Sequence, residues 1–243
     1  MLEALISHRL ISPPAIWGKL PAHADFVRSG VRHGESEGWQ SWLAEHAVAG
    51  AMKGIASLPV AFVLPPRSLA FAPRDFVGGV VAPSSDRTGR RHALLVYQRA
   101  HPRWVQPHFE AQAVEPCDWL FWLARAVQRH VAVHALGDLQ ALERSVQALW
   151  QLHMPGRRLP GQTATAAGLP QAKDVLAVLD RCTGPAHAGD AVQDLSGVRH
   201  LPWADWPGRL HGARAQSAFW QQDAAGGFVN AGTRLANLWR TES

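Results

Sequence analysis

The sequence predicts an α/β protein built on one mixed β-sheet with helices on both faces. Three observations carry this. Short apolar runs bounded by proline or glycine read as buried strands. Longer stretches space their apolar residues three and four apart, as on one face of a helix. The two kinds of segment interleave along the chain, and no internal repeat divides them.

The first strand is Ala15-Ile16-Trp17-Gly18, which follows Pro13-Pro14. Residues 19–32 have mixed polarity and contain Pro21 and Gly30, so they read as a loop. Trp39, Trp42, Leu43, His46, Ala47 and Gly50 then recur at helical steps and predict a helix over residues 35–53. Glu35 and Glu37 in its first turn suit the positive end of the helix dipole. Val60-Ala61-Phe62-Val63-Leu64, closed by Pro65-Pro66, is a buried strand. Residues 76–82 form another, in which Gly78-Gly79 mark a bulge or a close backbone contact. A polar turn over 83–91 leads into a strand over 92–98, giving a hairpin with a long loop.

Pro116 stands where the first turn of a helix accepts proline. Trp119, Leu120, Trp122, Leu123, Val127, Val131 and His134 then mark a long helix that is apolar over much of its circumference and should be central and buried. Gly137-Asp138 breaks it and starts a second helix, with Leu139, Leu142, Val146, Leu149 and Trp150 on one side. Residues 155–171 are rich in Gly, Pro, Ala and Thr and predict a mobile surface loop. A short helix follows over 175–182. Residues 183–208 are irregular, anchored by Trp203 and Trp206. Strands near 217–220 and 227–230 and a helix over 233–239 are expected to join the same sheet, making residues 1–243 one domain.

Composition bounds the function. A chain of 243 residues is within reach of a single core, and 47% hydrophobic with 18% charged residues is a globular balance. No run approaches the ~18 apolar residues of a membrane helix. Glu3, His8 and Arg9 break the pattern of a signal peptide, so a cytoplasmic protein without membrane insertion is expected. Cys117 and Cys182 fit no metal or redox spacing and read as reduced thiols. The net charge of +5 is almost all arginine, with lysine only at Lys19, Lys53 and Lys173. The arginines are scattered apart from a modest cluster at Arg87, Arg90 and Arg91, which argues against a nucleic-acid stripe.

Signatures of chemistry are missing. The chain has no G-x-S-x-G, P-loop, G-x-G-x-x-G or H-E-x-x-H motif. His130 and His134 share a helical face, but the residues between are apolar and no carboxylate nearby supplies a third ligand. Ser84-Ser85-Asp86 with His92 matches no triad spacing. Asp25 and Asp86 stand beside basic residues, so ion pairing is expected before acid–base work. No catalytic residue, metal or cofactor is therefore assigned.

Two polar segments beside strand ends remain, residues 18–26 and 83–90, and such loops are where folds carry function. A structural reading stands next to the functional one. Asp86 can bond the backbone that follows it, Gly89 can supply a positive φ, and Arg87 or Arg90 can pair with Asp25.

Both segments resemble motifs of the TagF family, accessory proteins of bacterial type VI secretion. The family's Gly-Lys-Leu-Pro-x-x-Gly-Asp-Phe appears as Gly18, Lys19, Leu20, Pro21, Ala24, Asp25 and Phe26, with alanine in place of the second glycine. Its Pro-Ser-x-Asp-Arg-x-Gly-Arg turn appears as Pro83, Ser84, Asp86, Arg87, Gly89 and Arg90. A weaker likeness to Ser-x-Trp-Trp lies at Ser217, Ala218, Phe219 and Trp220. The resemblance is close over about residues 15–100 and looser beyond. It implies a layered α/β/α sandwich and a cytoplasmic, non-catalytic repressor that binds a forkhead-associated scaffold protein of the secretion system. The motif residues would then be structural or partner-binding. The alternative is a small hydrolase or transferase with a site built from the 18–26 and 83–90 loops. A partner surface would use exposed Trp and Arg. Trp203, Trp206 and Trp239 are candidates, if they do not simply cover the sheet edge.

Overall fold

Successive side chains of a strand point to opposite faces, and the apolar run 60–64 has a core on each side to meet. A computed structural model describes residues 10–46, 58–105, 119–132, 137–153, 172–183, 208–210, 215–223 and 226–239. In it Val60, Phe62 and Leu64 enter one hydrophobic cluster, Ala61 and Val63 the other. All five are buried, as in a strand covered on both faces.

The described residues form one seven-stranded sheet from β1 (Ala15–Gly18), β2 (Val27–Ser29), β3 (Val60–Leu64), β4 (Phe76–Ser85), β5 (Arg91–Ala100), β6 (Ala218–Gln222) and β7 (Phe228–Gly232). Their order is β2-β1-β5-β4-β3-β6-β7, and every pair is antiparallel. Helix α1 (Glu35–His46) covers one face through Trp39, Trp42 and Leu43, joined by the short α5 (Leu235–Leu238). On the other face α2 (Trp119–Ala132) crosses β4, α3 (Leu139–His153) packs on α2, and α4 (Ala172–Thr183) packs on α3. The class is the predicted one, an α/β protein with helices on both faces of its sheet.

Several boundaries differ for physical reasons. β2 lies inside the predicted loop; it is three residues long with one buried side chain, too short for alternation to register. The predicted turn over 83–91 contracts to five residues, because β4 runs on to Ser85 and β5 starts at Arg91. Pro83 is tolerated in β4 because the pairing with β3 ends at Val81, so on that side no strand needs its missing N–H. Gly79 lies where a Cβ would collide with the backbone of Val96 and Tyr97, the close contact predicted for the glycine pair. β6 pairs with β3 and β7 with β6, so the C-terminal strands extend the same sheet. Trp239 is buried with α1 and the sheet rather than offered to a partner.

Cys182 is a free thiol. Among the described residues no helix is long and apolar enough to cross a membrane, and no cluster of metal-ligating side chains forms. The end of the predicted first helix, Pro116, Cys117, His134, the 155–171 loop, Trp203 and Trp206 lie outside the described residues, as does the stretch before residue 10 that was read for a signal peptide.

Candidate functional site

The sheet brings the two polar segments together. β1 lies beside β5 and ends at Gly18, which pairs with Leu94, so the chain leaving β1 passes the turn that joins β4 to β5. Asp86, at the start of that turn, is the hub. Its Oδ1 accepts hydrogen bonds from Thr88 N (3.0 Å), Thr88 Oγ1 (2.7 Å) and Arg90 N (2.9 Å). Its Oδ2 accepts from Lys19 Nζ (2.8 Å) and Arg90 Nε (2.7 Å). Asp86 N donates to Arg90 O, and Gly89 closes the turn with a φ of 81° that other residues rarely adopt. Asp86 thus makes the turn, as its sequence context predicts, and also ties that turn to the first segment.

Further bonds stitch residues 19–26 in place. Arg90 Nη2 donates to Ala24 O (2.6 Å), and Arg87 N donates to His23 O (2.8 Å). On the other side Ala22 N donates to Gly137 O (3.2 Å). Leu139 N donates to His23 Nε2 (3.1 Å), so the His23 ring caps an otherwise unsatisfied donor in the first turn of α3. Asp138 Oδ2 accepts from Ala141 N at the same helix end. Ala24, standing for the family's glycine, carries no strain: the one positive φ outside glycine among the described residues is at Arg67.

The electrostatics are those of a closed clamp. Burial alone would raise the pKa of Asp86, but the Lys19 ammonium, Thr88 and Arg90 outweigh it and hold the carboxyl well below the usual range. Five donors fill a carboxylate with about four lone-pair sites. The carboxylate is held in its charged form by its partners, which suits a structural anion rather than a base waiting for a substrate proton. A Ser–His contact elsewhere is structural as well. His130 Nε2 lies 3.0 Å from Ser145 Oγ, but both are fully buried and Ser145 donates to Ala141 O, so no nucleophile is presented.

Beside the clamp is an aromatic group. Phe26 stacks on Trp17 with centroids 5.5 Å apart, and His92 meets Phe26 edge-on at 4.7 Å and Trp17 at 5.2 Å. Lys19 Nζ sits 5.4 Å from the centre of the Phe26 ring. Burial lowers the pKa of His92 and nearby Lys19 adds to this, against a hydrogen bond to Ala93 O that favours the charged form.

The sequence model of the TagF N-terminal domain, described as type VI secretion system-associated, matches residues 15–149, more than half of the chain and both loops of the clamp. The chain belongs to the TagF family. No curated protein matches it. Among solved structures it is similar to PA0076 from Pseudomonas aeruginosa PAO1, determined by crystallography at 2.05 Å, with a TM-score of 0.52 and 18% identity over 95% of each chain. At that identity the likeness carries the fold alone.

The TagF motifs are used unevenly. Lys19, Asp86 and Arg90 form the ionic centre, Leu20 is fully buried, and Pro21 is buried at the start of the loop. Pro83 and Ser84 continue β4, and the Ser84 hydroxyl is buried with no hydrogen-bond partner. Arg87 contributes its backbone and leaves its side chain exposed. Asp25 does not pair with Arg87 or Arg90 as predicted. Its carboxylate caps Phe26 N (2.9 Å), while Arg90 is taken by Asp86 four residues before it. Ser217 and Trp220 belong to neither loop: β5, β4 and β3 separate β6 from β1, and Trp220 is core.

Sequence reasoning missed His23 as a helix cap and His92 as part of the aromatic group. His23 lies in the first polar segment and His92 was weighed only as a triad partner, and neither role shows in local sequence because each depends on a residue distant along the chain. It also missed a buried carboxylate at the start of α1. Glu35 accepts from Tyr97 Oη (2.8 Å) and Arg32 N (2.9 Å) and pairs with Arg99 Nε (3.4 Å).

Proposed function

We propose that this TagF-family protein is a non-catalytic, cytoplasmic repressor of a bacterial type VI secretion system that acts by binding a forkhead-associated scaffold protein. One observation carries the reading. Lys19, Asp86 and Arg90 of the two family motifs are spent on one another, in a clamp that ties the two loops together and leaves the buried Asp86 carboxylate no free acceptor site. The family's association with type VI secretion supplies the process in which such a protein works. The rival hydrolase or transferase reading needs Asp25 or Asp86 as an acid, base or nucleophile; five hydrogen bonds argue against each role for Asp86, and Asp25 is exposed and caps Phe26 N rather than facing a closed site.

The test joins binding to output. The tagged protein should co-purify with the forkhead-associated scaffold of its own secretion system, and its overproduction should reduce release of type VI substrates. Absence of scaffold binding, with secretion unchanged, would overturn the proposal.

A further inference from the structure

We propose that Phe26, with Arg28 and Arg87 beside it, is the docking surface for an acidic segment of a partner protein that carries an apolar side chain. The inference rests on the reading of the protein as a binding regulator and names the surface that does the binding.

Exposure comes first. Among the described residues two large apolar side chains are exposed, Phe26 at 37% and Val229 at 57%. Val229 stands in the edge strand β7. Phe26 is different because its ring is already held. Trp17, itself buried, lies stacked under it; His92 meets its edge; Lys19 approaches its ring; and Asp25 fixes its backbone N–H. A ring positioned before contact loses little conformational freedom when a partner arrives.

Charge comes second. Lys19 and Arg90 are engaged with Asp86, so that group adds little to what a partner meets. Arg28 follows Phe26 by two residues in β2, opposite Trp17, and its side chain is exposed with no partner among the described residues. Arg87 is exposed and equally unpaired, in a turn whose backbone bonds His23 and whose Arg90 bonds Ala24. Two unspent guanidinium groups therefore stand on the two segments next to a fixed aromatic ring, one on β2 opposite Trp17 and one on the turn bonded to residues 23 and 24, with Asp25 the one exposed carboxylate in the loop. Aromatic and arginine side chains are the residues on which binding energy concentrates, and the surplus positive charge selects an acidic partner. Two free cations are few for a nucleic-acid backbone, whose binding grows with the number of phosphates neutralised.

The test uses the full chain and two probes, measured by calorimetry at low and high salt. One is the forkhead-associated scaffold of the same secretion system. The other is a synthetic glutamate-rich peptide with one central phenylalanine. The expected result is salt-sensitive binding of the peptide that Phe26→Ala, and separately Arg28→Glu with Arg87→Glu, weaken by about tenfold or more, with melting temperatures unchanged. Because both arginine side chains are exposed and, among the described residues, hold no other in place, their loss of binding would stand even if Phe26→Ala loosened the loop. Absence of peptide binding, or binding that survives both variants, would overturn the surface. So would a preference for duplex DNA lost in the same variants. Scaffold binding that ignores the variants would overturn the surface and leave the regulator reading intact. Variant-sensitive peptide binding without scaffold binding would keep the surface and remove that scaffold as its partner.

Discussion

Asp86 shows how much one residue can carry. Its sequence neighbourhood, with Gly89 three residues on, is enough to predict a turn bonded to its own backbone. It is not enough to predict Lys19, which sits 67 residues earlier and reaches Asp86 because β1 lies next to β5. The same lack of long-range information put Asp25 in an ion pair it does not make. Replacing Asp86 with asparagine should leave two cations facing a neutral amide and lower the melting temperature at neutral pH by on the order of 10 °C. The pH dependence has a definite sign. The folded carboxyl stays ionised where the unfolded chain takes up a proton, so its contribution is present above about pH 4 and fades as the pH falls below that. The gap between wild type and Asp86→Asn should therefore narrow in acid; thermal melts at a series of pH values in which the gap stays constant would refute the clamp.

Helix α1 shows the limit of reading one element at a time. Its buried face was legible, because Trp39, Trp42 and Leu43 keep helical spacing. Glu35 suits the helix dipole in the first turn, as its position predicts, but it is also buried over Tyr97 and Arg99 of β5, which its sequence does not announce. Periodicity tells which side of a helix is apolar but not which strand residues lie beneath its first turn. Tyr97→Phe removes one of the donors on a buried carboxylate and should cost about 2 kcal/mol. Burial, followed by the charge and hydrogen bond of Glu35, pushes the Tyr97 pKa far above its ordinary value. The folded protein then keeps a proton that the unfolded chain loses, so stability is full below about pH 10 and declines above it. Tyr97 is the sole tyrosine, which makes the measurement clean. Phenolate absorbance should rise only together with the tryptophan fluorescence change of unfolding. A phenolate signal near pH 10 in a still folded protein would show that the phenol is not held by Glu35.

For the molecule as a whole, most strand positions and the class were legible, because each strand announces itself by local pattern. The order of the strands was not, since it depends on pairings between distant segments. β3, β4 and β5 follow one another in sequence and are neighbours in space, whereas β1 joins β5 and β6 joins β3 across long stretches of chain. The ten-residue strands of the β4–β5 hairpin, closed by the turn that Asp86 bonds, have consequences for how the protein folds. Contacts near in sequence cost the least chain entropy to form, so the hairpin is the natural folding nucleus. Gly89→Ala, strained by about 1 kcal/mol at its positive φ, should slow refolding, whereas Phe219→Leu in β6 should mainly hasten unfolding. Stopped-flow measurements that place both effects on the same limb would deny the hairpin that role. During synthesis the order is just as strict. Lys19 emerges first and has no counter-ion until the chain has grown by a further 67 residues, so the N-terminal motif is made early and completed late.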